Sequence, residues 1–298
     1  MNQTEITKIK EAGKIAAHVS EYARTIIKKS VPLLEIADKI EEKIKELKAK
    51  PAFPVNLSIN EISAHYTPSY NDTTLAHGLI KVDIGVHLDG YIADTAFSLD
   101  LEESQENKKL IEIAEKARDL ALEEIKIGSK VNEIGRIIEQ TCSSNNVLPI
   151  HNLSGHSIDD YEVHSGIAIP NFDNSQEIEI IEGLYAIEPF TTRGAGAVKD
   201  GKPSGIYHIQ KEGSVRDNFA REVLKYIKEE FKTLPFSSRQ IYKKFGSRGL
   251  LALRQIEQFG IINQYPQLIE KDGAIVAQAE HTVLLTQKEK VITTRLNK

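Results

Sequence analysis

Apolar positions in the first 50 residues recur every three or four residues, with polar side chains between them, which is the period of an amphipathic helix. The first predicted helix ends before Val31-Pro32, because proline cannot continue a helix. The same period returns in two later segments. Four helices are therefore predicted, over 4–29, 34–47, 104–126 and 130–142.

Residues 81–97 read KVDIGVHLDGYIADTAF, with the alternation of a half-buried strand. Asp89-Gly90 is a two-residue hairpin signal, because a type I′ turn needs positive φ at both central positions. Such a turn pairs residue 88 with 91 and residue 83 with 96. The segment is therefore predicted to form two adjacent antiparallel strands.

Two aspartates, Asp83 and Asp94, lie inside this apolar hairpin. Period-two alternation places them on one face, a diagonal step of roughly 7–8 Å apart. If the carboxylates closed to about 5 Å without a cation, they would repel by roughly 3 kcal/mol at an effective dielectric of about 20. A divalent cation removes this repulsion, since hard cations take carboxylate oxygens as ligands. The alternative is a pair of solvent-facing aspartates on an edge hairpin.

The C-terminal half is predicted to contain short strands and loops, interrupted by a block of different character. Residues 206–272 are predicted to be helical, with a Ser237-x-x-Gln240 capping box and a helix over 247–259. The block contains twelve Lys and Arg against eight Asp and Glu, a net charge of +4 in a chain whose total is −5. It therefore has the character of an insertion. The predicted domains are a main domain of 1–205 with 273–298, and an inserted subdomain of 206–272.

Composition indicates a soluble globular protein. The 298 residues, 40% of them hydrophobic, are sufficient for a large core, and a net charge of −5 is too small to indicate bulk attraction to nucleic acid or membranes. Cys142 is the only cysteine, which excludes an intrachain disulfide and a thiolate zinc cluster. No apolar run approaches the roughly 20 residues of a membrane span, and Met1 opens a polar segment. A cytoplasmic protein is expected.

Three further polar residues lie in apolar strand or glycine-loop segments. They are His156 in NLSGHSI, Glu188 after Leu-Tyr-Ala-Ile, and Glu280 in IVAQAEHTVLL. Taken singly, a buried histidine is more often hydrogen-bonded core, and a strand glutamate is more often solvent-facing. Together with the two aspartates, they form a set with four negative charges, which matches two divalent ions about 3.5–4 Å apart. Spacing alone does not establish that the five side chains converge.

Two more histidines, His65 and His164, lie beside these segments. For each, a contact with substrate and a purely structural role are equally consistent with the sequence. The remaining histidines have no sequence feature that indicates a ligand or a catalytic group.

Five segments, in order, resemble the signature segments of type II methionine aminopeptidases of the short archaeal kind. They are AFPVNLSINEISAHYTP, KVDIGVHLDGYIADTAF, NLSGHSIDDYEVHSG, YAIEPF and QAEHTVLL, and the similarity runs from about residue 5 to the C-terminus. The resemblance implies an α+β pita-bread fold, in which two related halves enclose a dinuclear metal centre. The 206–272 block then corresponds to a helical, winged-helix-like insertion. Because a net charge of +4 is small for a DNA-binding domain, we expect this block to narrow the substrate cleft instead.

The resemblance implies a role for each candidate ligand. Asp94 and Glu280 would bridge the two ions. Asp83 would chelate one ion, and His156 with Glu188 would complete the coordination of the other.

Four further contacts with substrate are implied in the same way. His164 would contact the scissile amide or stabilise the developing oxyanion, and His65 would lie on the leaving-group side. Phe53, in the AFP segment, and Tyr265, in YPQL, would form walls of the methionine pocket.

The implied activity is metal-dependent removal of the N-terminal methionine from nascent proteins and peptides, with a preference for small penultimate residues. A hydroxide that bridges the two ions would attack the carbonyl, since metal ions can lower the pKa of water from 15.7 to about 7. Glu188 would pass the proton to the leaving amine. The carboxylate-rich set accepts Co²⁺, Mn²⁺, Fe²⁺ or Zn²⁺. The expected partners are the N-termini of nascent chains, with the ribosome as one place of encounter, and neither DNA nor a membrane. A monomer is expected.

Two alternatives remain open. An Xaa-Pro peptidase of the same fold would use similar ligands, but such enzymes usually carry a large domain ahead of the catalytic half. Only about 50 residues precede AFPVN here. A metal-free relative that binds RNA or ribosomes is expected to lose ligands, whereas all five expected ligand types are present.

Overall fold

The computed structural model describes residues 1–296. All four predicted helices are confirmed, with ends that differ from the prediction by one to three residues. Within the described residues, no helix is both long and apolar enough to cross a membrane. The helices are α1 (Gln3–Ile26), α2 (Leu33–Glu46), α3 (Gln105–Glu124), α4 (Val131–Ser143), α5 (Asn218–Glu230) and α6 (Ser238–Gln258).

The strands assemble into four sheets, with orders β1-β4-β2 (to which β5 adds beside β4), β14-β10-β6, β12-β11-β13-β3 and β16-β15-β9-β7-β8. Their bounds are β1 Lys50–Pro51, β2 Asn56–Ile59, β3 Ile62–Ala64, β4 Leu79–Leu88, β5 Tyr91–Asp100, β6 Leu148–Pro149, β7 Ser154–Ile158, β8 Ala168–Pro170, β9 Gly183–Ile187, β10 Phe190–Thr192, β11 Val198–Ile209, β12 Phe236–Ser237, β13 Ile262–Glu270, β14 Val276–Gln278, β15 His281–Leu285 and β16 Lys290–Ile292.

The β4–β5 hairpin has the predicted register. Leu88 pairs with Tyr91 and Asp83 pairs with Ala96, so the predicted pairing is confirmed. The turn residues Asp89 and Gly90 have φ of 51° and 100°, as a type I′ turn requires. β4 is an interior strand, since β1 and β2 pair with it as well as β5.

Two large apolar cores correspond to the two halves of the main domain. The first core lies between helices α1 and α2 and the sheet of β2, β4 and β5. The second lies between α3 and α4 and strands β9, β14 and β15. Each half thus packs a pair of amphipathic helices on one face of a sheet, which leaves the opposite faces to meet at the centre.

The inserted block has an apolar core of its own, formed by residues between 207 and 262. The Ser237–Gln240 capping box is confirmed at the start of α6. The block is less helical than predicted, because strands β11, β12 and β13 form part of it. α6 also contains a non-helical residue, Gly246, at φ 63° and ψ −158°. β11 runs across the proposed boundary at 206, whereas β13 ends at Glu270, just before the proposed boundary at 272. Both boundaries stay predictions.

Candidate metal centre

Hydrogen bonds between the two halves place Asp94 and Glu280 close together. Asp94 N donates to Thr282 Oγ1 at 2.9 Å, and Thr282 Oγ1 donates to Asp94 O at 2.7 Å. Glu280 N donates to Ala96 O at 2.8 Å. Strand β5 is therefore hydrogen-bonded to the start of β15 at the positions of Asp94 and Glu280.

Strand pairing brings the remaining three candidates to the same place. Asp83 shares a face of the hairpin with Asp94, because Asp94 lies opposite residue 85 on β4. His156 pairs with Ala186 on the neighbouring strand, two residues before Glu188. Period-two alternation then puts His156 and Glu188 on the same side of their sheet.

The five side chains form two overlapping groups of ligand atoms. Asp94, His156 and Glu280 form one group, and Asp83, Glu188 and Glu280 form the other. Within each group, one oxygen or nitrogen of every residue lies within 4.8 Å of the others. Glu280 belongs to both groups, as expected of a bridging carboxylate.

Glu188 is grouped differently from the expectation based on the resemblance. That expectation placed Glu188 with His156 on one ion, whereas its nearest group contains Asp83 and Glu280. The assignment of Glu188 to one ion or the other therefore stays a prediction.

Asp94 and Glu280 are buried, and several carboxylate oxygens of the cluster have no hydrogen-bond partner among the described residues. Asp94 is 3% exposed and Glu280 is 1% exposed, so the alternative of two solvent-facing aspartates is wrong. Asp83 Oδ1, Asp94 Oδ1 and both oxygens of Glu280 are buried without a partner. Unpaired buried polar atoms are costly, at about 1–3 kcal/mol each and more when charged.

The electrostatics of the cluster match a cation site. Burial raises the pKa of Asp83 to about 7. For Asp94, burial and then the charge of Asp83 raise the pKa well above its usual range. The pKa values of Glu188 and Glu280 are raised in the same way, by burial and then by neighbouring carboxylates. Bound divalent cations reverse this preference for the protonated forms, so the donor set fits two such ions.

Gln278 contacts the cluster, although the sequence analysis did not select it as a site residue. Its Nε2 donates to Glu188 Oε1 at 2.7 Å, and its side-chain amide acts against burial by lowering the pKa of Asp83. Its backbone is fixed by two hydrogen bonds with Ser98 Oγ. The available signal was its position two residues before Glu280, which puts both side chains on one face.

A cavity of about 380 Å³ opens onto the cluster, which is within the usual range for small-ligand sites. The sequence-predicted substrate residues Phe53, His65, His164 and Tyr265 all line it. Its other walls are largely apolar, and they include Ile206 and Leu268 from the inserted strands.

The two cavity histidines that were predicted to contact substrate are held in neutral form. Burial lowers the pKa of His65 to about 4, and desolvation by the cavity walls lowers the pKa of His164. His164 stands perpendicular to the His156 ring, with centroids 4.2 Å apart. His208, which the sequence gave no reason to select, packs against Tyr265 with ring centroids 4.5 Å apart. Neutral imidazoles can donate a hydrogen bond to a substrate and accept one from it.

Known proteins are similar to this chain both in sequence and in fold. The model of metallopeptidase family M24 matches residues 7–287. A methionine aminopeptidase of Pyrococcus abyssi is 45% identical over 295 residues, which cover 97% of this chain and 99% of that protein.

Two solved structures show the same architecture at low sequence identity. A methionine aminopeptidase of Thermotoga maritima has a TM-score of 0.72 at 21% identity, over 99% of this chain and 98% of that one. A thermophilic Arx1 has a TM-score of 0.85 at 16% identity, over 100% of this chain and 92% of that one. These likenesses concern the fold, and the predicted pita-bread fold is confirmed. The family match and the archaeal relative cover nearly the whole described chain, and the chain therefore belongs to metallopeptidase family M24.

Proposed function

We propose that this protein is a methionyl aminopeptidase, which removes the N-terminal methionine from nascent proteins and peptides. The observation that supports this most directly is the pair of overlapping ligand groups at the base of a cavity with apolar walls. The relative named methionine aminopeptidase, 45% identical over nearly the whole chain, supports the substrate class.

Two divalent ions would be held by Asp83, Asp94, His156, Glu188 and Glu280. When bound, such a pair supplies Lewis acidity and a water molecule whose pKa is lowered from 15.7 to about 7. Carboxylate and imidazole donors accept Co²⁺, Mn²⁺, Fe²⁺ or Zn²⁺, so metal availability decides which is used.

Glu188 is the proposed proton carrier. Its Oε1 accepts a hydrogen bond from Gln278, which leaves Oε2 to take a proton from the attacking water and return it to the leaving amine. The hydrogen bond from Gln278 fixes the orientation of the carboxyl group, so that the proton is held at one place.

His164 and His65 are proposed to contact the scissile bond from two sides. His164 faces the open cavity beside His156, where an imidazole N–H can donate to the oxygen that gains charge during attack. The Nδ1 of His65 lies 3.3 Å from Pro266 O. This backbone contact would hold its ring on the proposed leaving-group side.

The methionine side chain is proposed to occupy the apolar part of the cavity, between Phe53 and Tyr265. Phe53 packs over Gly85, since a Cβ at that glycine would lie 2.3 Å from the Phe53 ring. A pocket of this kind discriminates by roughly 1–3 kcal/mol per methylene, which favours methionine over shorter side chains.

The remaining parts of the proposal concern the cellular context. The partners would be the N-termini of nascent chains, encountered in the cytoplasm and at the ribosome, with the enzyme acting as a monomer. The five ligand positions retain the residue types needed for ion binding, which supports an enzyme over a metal-free binding protein.

The test compares two peptides with one protein preparation. Chelated protein, reloaded with each candidate ion in turn, is incubated with Met-Ala-Ser and with an Xaa-Pro dipeptide. We expect release of methionine from the first peptide only. Cleavage of only the Xaa-Pro dipeptide would favour the Xaa-Pro peptidase, and inactivity with every ion would favour the binding protein.

A further inference from the structure

Arg239 is a fully buried cation at the start of α6, and it connects the insertion to the main domain. Its side chain is 1% exposed. Nη2 donates to the buried carboxylate of Glu41 on α2. Nε lies 3.2 Å from Asp38 Oδ1, without the alignment of a hydrogen bond.

The other end of the guanidinium binds the segment that follows His65. Nη1 donates to Thr67 Oγ1 at 3.1 Å and to the carbonyl oxygen of Pro68. Thr67 lies two residues after His65, a reach of roughly 7 Å even in extended chain. We refer to the contacts of Arg239 with Glu41, Thr67 and Pro68 as the Arg239 clasp.

The insertion therefore holds His65 from both sides. Before His65, strand β3 pairs with β13, where Ala64 lies opposite Leu268. After His65, the Arg239 clasp binds Thr67 and Pro68. Beyond them, Tyr70 stacks on Tyr242 of α6 with ring centroids 3.9 Å apart.

His65 has a backbone conformation that needs such support. Its φ is 61°, in the left-handed region that a residue with a side chain rarely occupies unless its surroundings hold it there. Neighbouring strand contacts, such as Leu57 N donating to Tyr66 O at 2.7 Å, come from the main domain alone. The Arg239 clasp, together with the stacking of Tyr70 on Tyr242, makes the conformation of this segment depend on α6.

A buried ion pair is a poor source of stability, because well-packed apolar residues of similar volume often stabilise a fold as well or better. Its directional hydrogen bonds do fix geometry, since a planar guanidinium binds several acceptors at defined angles. This distinction separates a positioning role for Arg239 from a merely stabilising one.

We infer that Arg239 is a positioning residue for the proposed reaction, and that the insertion serves to hold the His65 segment against the cavity. The inference rests on the proposed function for its effect on turnover, but the placement of His65 can be measured independently. It assigns the insertion a task in organising the site, in addition to the walls it contributes to the cavity.

The principal variant replaces both charges, as Arg239→Met with Glu41→Met, so that no buried charge is left unpaired. We expect a folded protein in which kcat for methionine release falls on the order of 10²-fold, because a small displacement of a contacting group has effects of that size. KM should change much less. The pKa of His65, held at about 4 by burial, should rise toward 6.5 as the segment loosens and admits water.

The pKa of His65 is followed by NMR of its imidazole C2–H in chelated protein, with the signal identified by its absence in His65→Asn. Lys243→Met is the matched control: it removes an exposed ion pair of the same helix, to Asp38, without contact to Thr67 or Pro68. We expect wild-type turnover and an unchanged His65 titration in this control.

Thr67→Val provides a second test that leaves the Arg239–Glu41 pair in place and serves if the double variant fails to fold. It should show the same two changes at smaller amplitude. A folded double variant with wild-type kcat and wild-type His65 titration would overturn the inference, as would a loss of kcat with an unshifted His65. If the wild-type protein releases no methionine with any ion, the proposed function fails, yet the His65 titration still decides whether the clasp positions that segment.

Discussion

Asp94→Asn should stabilise the metal-free protein while it abolishes the response to metal. Asp94 is one of four carboxylates gathered at the base of the cavity, and it is 3% exposed. In the absence of cations these carboxylates repel each other. Asparagine keeps the size of the side chain, removes one charge, and can donate an N–H to Glu280.

The magnitude follows from the geometry. Asp94 and Glu280 carry oxygen atoms within 4.8 Å of each other. At an effective dielectric of about 20, two unit charges at that distance repel by about 3 kcal/mol. Proton uptake by one carboxyl relieves part of this, so we expect the free energy of unfolding to increase by about 1–3 kcal/mol near neutral pH. For a chain of this size, that raises Tm by roughly 2–5 °C.

The direction of the pH dependence follows from the raised pKa values. A carboxyl whose pKa is higher in the folded state stabilises the fold in its protonated form. This contribution is complete below the unfolded pKa and is lost as pH rises through the folded pKa. For Asp83 the pKa rises from 3.8 to about 7. The metal-free wild-type protein should therefore lose stability between about pH 4 and pH 7, and Asp94→Asn should lose less.

The assay is thermal unfolding followed by circular dichroism, in chelator at pH 5 and pH 7.5 and then with added Mn²⁺. Mn²⁺ should raise the wild-type Tm and leave that of Asp94→Asn nearly unchanged, and methionine release should be lost in the variant. Asp89→Asn is the control, because its exposed carboxylate lies in the same hairpin and its pair with Lys8 is a surface one. A lower Tm for Asp94→Asn than for wild type in chelator at pH 7.5 would refute the charge argument.

Three further predictions concern other parts of the site. Gly85→Ala should displace Phe53, whose ring would lie 2.3 Å from the added Cβ, and raise KM for methionyl peptides several-fold; an unchanged KM would remove Phe53 from the pocket. Gln278→Leu should weaken metal binding in calorimetry by about 10–100-fold, because Glu188 loses its orienting hydrogen bond; equal affinity would argue against that role. The protein should keep Met1, since Asn2 is larger than the favoured penultimate residues; an intact mass lacking methionine would contradict this.

Local patterns were sufficient to predict much of the fold. The three- and four-residue spacing located four helices to within three residues, and Asp89-Gly90 fixed the register that puts Asp83 and Asp94 on one face. These features depend on interactions between residues close in the chain. The ligand candidates were also recognisable, because a charged residue inside an apolar strand needs an explanation wherever the strand lies.

Contacts between distant segments decided the rest. Glu280 meets Asp94 across 186 positions through strand contacts between the two halves, and Arg239 meets Glu41 across 198. Which ligands lie near Glu188, and the hydrogen bond that Gln278 donates to Glu188, likewise depend on how separate sheets approach each other. By itself the sequence determined which residue types were available and which strand face each would occupy. Only the tertiary structure decided which of them share a cavity, because burial and electrostatic coupling depend on packing between elements far apart in the chain.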